Sequence, residues 1–137
     1  MDQDVLVEGG TTDLNRIANA FRSKGLPVSG VYLIKLTSND GYEERIIRLI
    51  VDRETPDLKR QMIYKLVELR REGLLPQVDL GIRFDVVTAA DSEAARIIEY
   101  TRRLGGPSAL IRDTMWKGLF IEYALVASVP QTDFVPA

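Results

Sequence analysis

Residues 31–52, VYLIKLTSNDGYEERIIRLIVD, decide the fold of this chain. Two runs rich in β-branched and aromatic residues stand on either side of the tetrapeptide Ser38-Asn39-Asp40-Gly41. Asn, Asp and Gly tolerate the positive φ angles that tight turns need. The stretch therefore predicts a β-hairpin with strands over 31–36 and 43–52.

A well-marked helix is predicted directly after this hairpin. Thr55 is placed to cap it, and Pro56 suits the first helical position because no backbone amide is needed there. Asp57 complements the positive end of the helix dipole, and Gly73 ends the helix. The predicted apolar face of this helix consists of Leu58, Met62, Ile63, Leu66, Val67 and Leu69.

Five further elements follow from hydrophobic periodicity and local end signals. Leu14, Ile17, Ala18 and Phe21 recur at helical spacing, and the alternation over 80–87 predicts a strand. Asp91 or Ser92 caps a third helix, which Gly105 ends. Strands are expected over 109–112 and 119–129, with a turn over 113–118 between them.

The element order is therefore α-β-β-α-β-α-β-β, which predicts an α+β fold. We expect a mixed, largely antiparallel sheet of about five strands, with two to three helices packed on one face. Residues 43–129 are compatible with a ferredoxin-like core. The chain is expected to be one domain, 1–137, with its core over about 12–129, a lead-in at 1–10 and a tail at 130–137.

Composition excludes several classes of chemistry. The 137 residues include no cysteine and no histidine, which excludes thiolate nucleophiles, imidazole metal ligands and Ser-His-Asp triads. We therefore expect neither a metal nor a cofactor. Acidic and basic residues number 20 and 18 and are evenly spread, so nucleic acid is not an expected partner. No apolar run reaches the length of a signal or a membrane span, and a cytoplasmic location is expected.

The first candidate site is the polar face of the sheet. Arg83 and Asp85 alternate with apolar residues along one strand, while Arg48 and Glu122 interrupt two others. A face carrying these four residues could bind a partner or an anionic ligand. The alternative is a solvated sheet face on which charges pair across strands.

Two smaller features are also candidates for binding. Arg102 and Arg103 end one helix as Arg70-Arg71 end another, and two such pairs could hold a carboxylate or phosphate. The alternative is that they complement helix dipoles. Trp116 is either an exposed interface anchor or a lid over the core.

These observations favour a protein-binding or regulatory module that acts through a sheet face or edge and exposed aromatic or arginine groups, with homodimerisation through the sheet as one form. One alternative is a sensor of a small anionic ligand. Another is a small enzyme in which Asp85 and Glu122 act as acid and base while Arg83 and Arg48 stabilise negative charge.

Overall fold

The computed structural model describes residues 10–38, 40–53, 55–75, 82–103, 110–116 and 119–130. At positions 110, 112–114, 116 and 119 only the backbone is described. Of the expected lead-in and tail, only Gly10 and the buried Pro130 belong to these residues. The elements are α1 (Gly10–Ser23), β1 (Val28–Thr37), β2 (Glu43–Val51), α2 (Leu58–Arg71), β3 (Ile82–Thr88), α3 (Ser92–Arg103), β4 (Leu110–Trp116) and β5 (Leu119–Ser128).

The strands form a sheet in the order β3-β2-β1-β5-β4. All neighbouring strands are antiparallel except β2 and β3, which are parallel. The predicted α+β class, with a mixed sheet and three helices, is confirmed. The β2-α2-β3 unit joins two strands that are direct neighbours, which differs from the split βαβ unit of the expected ferredoxin-like core.

The hairpin forms where the sequence predicts it. The Ser38 amide donates to the Tyr42 carbonyl, and Gly41 takes a φ of +85°, a value that glycine adopts without strain. In the resulting register Tyr32 lies opposite Arg48. This pairing directs both side chains to the same face of the sheet.

Two helices, α1 and α2, share one face of the sheet as predicted, but the third helix, α3, packs on the opposite face. Alternate residues of β1 belong to two separate cores: Val31 and Leu33 pack with α1 and α2, whereas Tyr32 and Ile34 pack with α3. Both alternating sets are apolar, so both faces need a cover. We call these the α1–α2 face and the α3 face.

The helix boundaries follow local signals, with one shift. Asp91 Oδ2 accepts from the amides of Glu93 and Ala94, which confirms the predicted cap of α3. Helix α2 begins at Leu58 rather than Pro56. The residues before it form a separate turn, in which the Leu58 amide donates to the Thr55 carbonyl. Thr55 is therefore not its cap.

The predicted turn over 113–118 is also wrong. Strand β4 runs to Trp116, which pairs with Leu119 of β5, so only residues 117 and 118 separate the two strands. Trp116 is therefore a strand residue, and its side chain lies outside the described part of the molecule.

Candidate functional site

Arg48 and Asp85 come together on the α3 face. They lie opposite each other in the parallel register of β2 and β3, and Arg48 Nη1 is 2.7 Å from Asp85 Oδ2. Lys59, at the start of α2, approaches the other carboxylate oxygen of Asp85 at 3.5 Å. Two residues of the predicted polar face are thus joined by a direct ion pair.

Glu93 completes this cluster, although the sequence analysis did not identify it. Its Oε1 accepts from Arg48 Nε at 2.8 Å and from the Tyr32 hydroxyl at 2.6 Å, and its Oε2 accepts from Arg48 Nη2 at 3.3 Å. Glu93 is only 7% exposed. We call Tyr32, Arg48, Asp85 and Glu93 the Arg48 cluster.

The electrostatics of the Arg48 cluster keep the Tyr32 hydroxyl and the Arg48 guanidinium protonated. Burial raises the pKa of the Tyr32 hydroxyl, and the charge of Glu93 raises it further, so this phenol keeps its proton. Burial alone would lower the pKa of Arg48, but the hydrogen bonds and charge of Glu93 outweigh it and raise that pKa. Arg48 is a cation already engaged by two carboxylates.

A cleft of about 680 Å³ opens beside the Arg48 cluster, between β2, β3 and the first turn of α3. Its lining carries four carboxylates and two cations, together with apolar and small side chains. The lining residues are Leu36, Glu44, Arg48, Lys59, Asp85, Val86, Val87, Thr88, Ala90, Asp91, Ser92 and Glu93. Because acids outnumber bases and Asp91 already caps α3, the cleft does not present free positive charge.

Arg83 and Glu122 do not join the Arg48 cluster. Arg83 Nη1 pairs with Glu44 at 2.6 Å and is 59% exposed, which is the cross-strand pairing of a solvated edge. Glu122, on β5, pairs instead with the buried Lys35 at 3.2 Å. Strands β2 and β1 lie between Asp85 and Glu122, a separation of about 14 Å at the usual strand spacing. The two carboxylates therefore do not form an acid–base pair.

The arginine pairs at the helix ends do not converge either. Helices α2 and α3 pack on opposite faces of the sheet, so Arg70-Arg71 and Arg102-Arg103 lie on opposite sides of the molecule. Arg103 pairs with Glu99 at 3.0 Å, one helical turn away. Arg70 lies over the ring of Phe84, 5.5 Å from its centre. The two arginine pairs therefore do not form the single anion-binding site that the sequence predicted.

A different surface, on α2, exposes apolar side chains. Ile63, Tyr64 and Val67 are 52%, 65% and 48% exposed. The prediction that Ile63 and Val67 face the core is therefore wrong. With Glu68 and Arg71 they line a shallow groove of about 470 Å³. We call these five residues the α2 outer surface.

The position of this surface follows from helical geometry. Val67 comes nine residues after the buried Leu58, which is about two and a half turns at 3.6 residues per turn. It therefore projects away from the side of α2 that contacts the sheet. Leu58, Met62 and Leu69 supply that inner side.

Comparisons with known proteins give no further guide to the function. No family model matches the chain, no curated protein matches it, and no solved structure matches it. Within the described residues, no group of three or more acidic side chains is placed to hold a metal ion. No helix in this part of the chain is long and apolar enough to cross a membrane.

Proposed function

We propose that this protein is a protein-binding module and that its docking site is the α2 outer surface. The observation that carries the proposal is the joint exposure of Ile63, Tyr64 and Val67 on one side of a helix whose opposite side is already buried. Contiguous exposed apolar side chains mark interaction sites more often than scattered ones do.

The composition of the α2 outer surface fits this role. Tyrosine and arginine are enriched in interfaces because each offers a large contact area together with hydrogen-bond donors. Tyr64 and Arg71 flank the apolar pair Ile63 and Val67 and share a groove with them. A partner side chain placed in this groove would remove all four from water.

Docking through a face of the sheet has less support. Helices α1 and α2 cover one face and α3 covers the other, so the central strands contribute buried side chains to both cores. Strands β3 and β4 form the two edges of the sheet. A homodimer formed by pairing of an edge strand stays a prediction.

Site-specific photo-crosslinking in the native cell tests the proposal. A photoreactive phenylalanine analogue replaces Tyr64 in one protein and Tyr42 in a matched control. Tyr42 is 66% exposed and lies at the hairpin turn, away from α2. We expect a discrete adduct with another protein from position 64 and none from position 42.

The adduct must also depend on the apolar groove. Adding Val67→Asp places a charge at the centre of the groove without touching the core, since Val67 is half exposed. We expect it to abolish the adduct from position 64. Equal adducts from positions 64 and 42, or none from either, would contradict the proposal.

A second candidate function is small-molecule binding in the cleft beside the Arg48 cluster. Its volume of about 680 Å³ lies within the usual range for ligand sites. The excess of carboxylates over cations gives little support to the anionic ligand expected from the sequence. A melting-temperature screen with nucleotides and organic phosphates tests that alternative, and a shift of several degrees would favour it.

A small enzyme is the least supported alternative. It would use Asp85 as a base beside Arg48, without the acid that Glu122 was expected to supply. Loss of a detected activity in Asp85→Asn, with retention in Glu122→Gln, would favour it.

A further inference from the structure

We propose that a groove between α2 and the β3 edge of the sheet binds a small organic anion, in which a carboxylate or phosphate group is joined to an apolar body. The groove has a volume of about 390 Å³. We call it the α2–β3 groove. It shares no lining residue with the α2 outer surface, so this inference goes beyond the proposed function and does not depend on it.

Helix α2 and strand β3 each supply one side of the α2–β3 groove. Lys59, Leu66 and Arg70 follow each other at intervals of seven and four residues, so they lie on the same side of α2. Strand β3 contributes Ile82 and Phe84, which pack on the α1–α2 face. Leu66 packs against the same core. The groove therefore has an apolar floor built from both elements, with cations at its rim.

Arg70 is the residue that carries the proposal. Its guanidinium carbon lies 5.5 Å from the centre of the Phe84 ring, which places the cation over the apolar floor. Among the described residues, no carboxylate or other hydrogen-bond acceptor is paired with this guanidinium. A guanidinium in this state keeps the two parallel N–H donors that bind a carboxylate or a phosphate.

The other charges of the α2–β3 groove also favour an anion. Lys59 and Arg83 line it and are largely exposed, and their ion pairs with Asp85 and Glu44 are of the modest kind that a ligand can replace. Asp85, the one carboxylate among the described lining residues, is 2.7 Å from Arg48 and is already neutralised. Three cations thus face one neutralised carboxylate, whereas carboxylates are in excess in the cleft beside the Arg48 cluster.

The apolar floor decides which class of anion fits. A bare phosphate ion would leave Leu66 and Phe84 facing water, whereas an aromatic or aliphatic body would cover them. Ligand sites usually combine such an apolar lining with a few charged groups, in volumes that include this one. The ligand is therefore an organic acid or an organic phosphate rather than an inorganic ion.

NMR titration of the native protein tests the inference. The protein is labelled at its backbone amides and at its leucine and isoleucine methyl groups, and the probes are phenyl phosphate and benzoate. Benzyl alcohol is the neutral control, and inorganic phosphate is the control without an apolar body. We expect phenyl phosphate to shift the signals of Leu66, Ile82 and Phe84 in a saturable way. Inorganic phosphate should bind about tenfold more weakly because it buries no apolar area, and benzyl alcohol should cause no saturable shift.

Removal of one arginine provides the decisive comparison. In Arg70→Gln we expect the affinity for phenyl phosphate to fall about tenfold, because charge-assisted hydrogen bonds are lost. Arg70 is exposed, so this change does not disturb the core. The control, Arg71→Gln, removes the same charge from the next residue, which lines the α2 outer surface instead, and should leave the affinity unchanged. Equal losses in both variants would show nonspecific charge attraction and overturn the inference.

The remaining outcomes also decide the matter. Saturable shifts centred on Val87 and Thr88 would place the anion in the cleft beside the Arg48 cluster and refute the α2–β3 groove. Inorganic phosphate that binds as tightly as phenyl phosphate would refute the organic ligand. No saturable shift from either phenyl phosphate or benzoate would refute the site itself. The crosslink from position 64 is measured separately, so the proposed function can stand or fail on its own.

Discussion

Replacement of Arg48 by methionine should destabilise the fold by about 3 kcal/mol. The variant loses three charged hydrogen bonds of 2.7 to 3.3 Å, and among the described residues it leaves the carboxylate of Glu93, 7% exposed, with only the Tyr32 hydroxyl as a side-chain donor. Removing one partner of a buried ion pair costs about 3–5 kcal/mol, because the other charge stays buried and unpaired. The Arg48 side chain is 14% exposed, which places the loss at the lower end.

The second variant, Glu93→Gln, should lower the free energy of unfolding by less than Arg48→Met does. The glutamine keeps the shape of the side chain and an oxygen that accepts from Tyr32, while Arg48 keeps Asp85. We expect a loss of about 1–2 kcal/mol, the difference between a charged and a neutral hydrogen bond. The double variant, Arg48→Met/Glu93→Gln, contains no unpaired buried charge at position 93. It should therefore be about 1 kcal/mol more stable than Arg48→Met alone.

Urea unfolding at pH 7, followed by circular dichroism, measures this cycle. Arg83→Met is the matched control, because Arg83 also pairs with a carboxylate but is mostly exposed. Its loss should stay within about 1 kcal/mol, as for other surface pairs. Additive losses, with the double variant less stable than Arg48→Met, would refute the reasoning that Glu93 needs the charge of Arg48.

Three further predictions concern pH and packing. Because burial raises the pKa of Tyr32, unfolding releases this phenolic proton above about pH 10, so the advantage of the native protein over Tyr32→Phe should shrink as pH rises from 8 to 11 in urea titrations. A constant gap would contradict this. The Ser38 hydroxyl lowers the pKa of Asp40 from its usual 3.8, so Asp40→Asn should melt earlier at pH 7, and the difference should close as pH falls below that value. An unchanged difference at low pH would count against it. Gly30→Ala should cost about 2–3 kcal/mol in urea unfolding, since a Cβ there would lie 2.8 Å from a backbone carbonyl oxygen, and a neutral effect would show that this contact relaxes.

The elements predicted correctly are those that short-range signals specify. The hairpin depends on the turn around Gly41, and the core side of α1 depends on the spacing of Leu14, Ile17 and Phe21, all of which are fully buried. Each of these signals involves residues within a few positions of one another. They therefore act in the same way whatever the rest of the chain does.

The face that each helix covers could not be predicted in this way. The period of α3 shows that Ala94 and Ile97 are buried, but not against which side of the sheet. The face that α3 covers depends on long-range packing, because β1 presents apolar residues on both faces of the sheet and each face has to be buried. Because α3 packs on the side of Tyr32 and Arg48, Glu93 reaches them, and the sequence analysis missed it for this reason.

In helix α2, the apolar pattern predicted more buried residues than the structure contains. Its apolar residues extend farther around the helix than one contact with a sheet can bury, so Ile63 and Val67 stay exposed while Met62 and Leu69 are covered. A prediction that assigns every apolar residue of α2 to the core is therefore wrong for the residues that the sheet cannot cover. In α2 this surplus forms the surface on which the proposed function depends.

The Arg48 cluster and the α2 outer surface differ in whether the protein itself already covers their interacting groups. In the Arg48 cluster the guanidinium, two carboxylates and the Tyr32 hydroxyl pair with one another inside the fold. Because these groups already pair with one another, they stabilise and orient α3 but leave few donors and acceptors for a new partner. On the α2 outer surface, by contrast, Ile63, Tyr64 and Val67 are about half exposed or more, so this apolar area is what a partner would cover. We therefore expect Arg48→Met to lower the free energy of unfolding with little effect on the crosslink from position 64, and Val67→Asp to abolish the crosslink with little effect on unfolding. Urea unfolding and crosslink yield, measured for both variants, test this: loss of the crosslink in Arg48→Met together with loss of stability in Val67→Asp would reverse the two assignments.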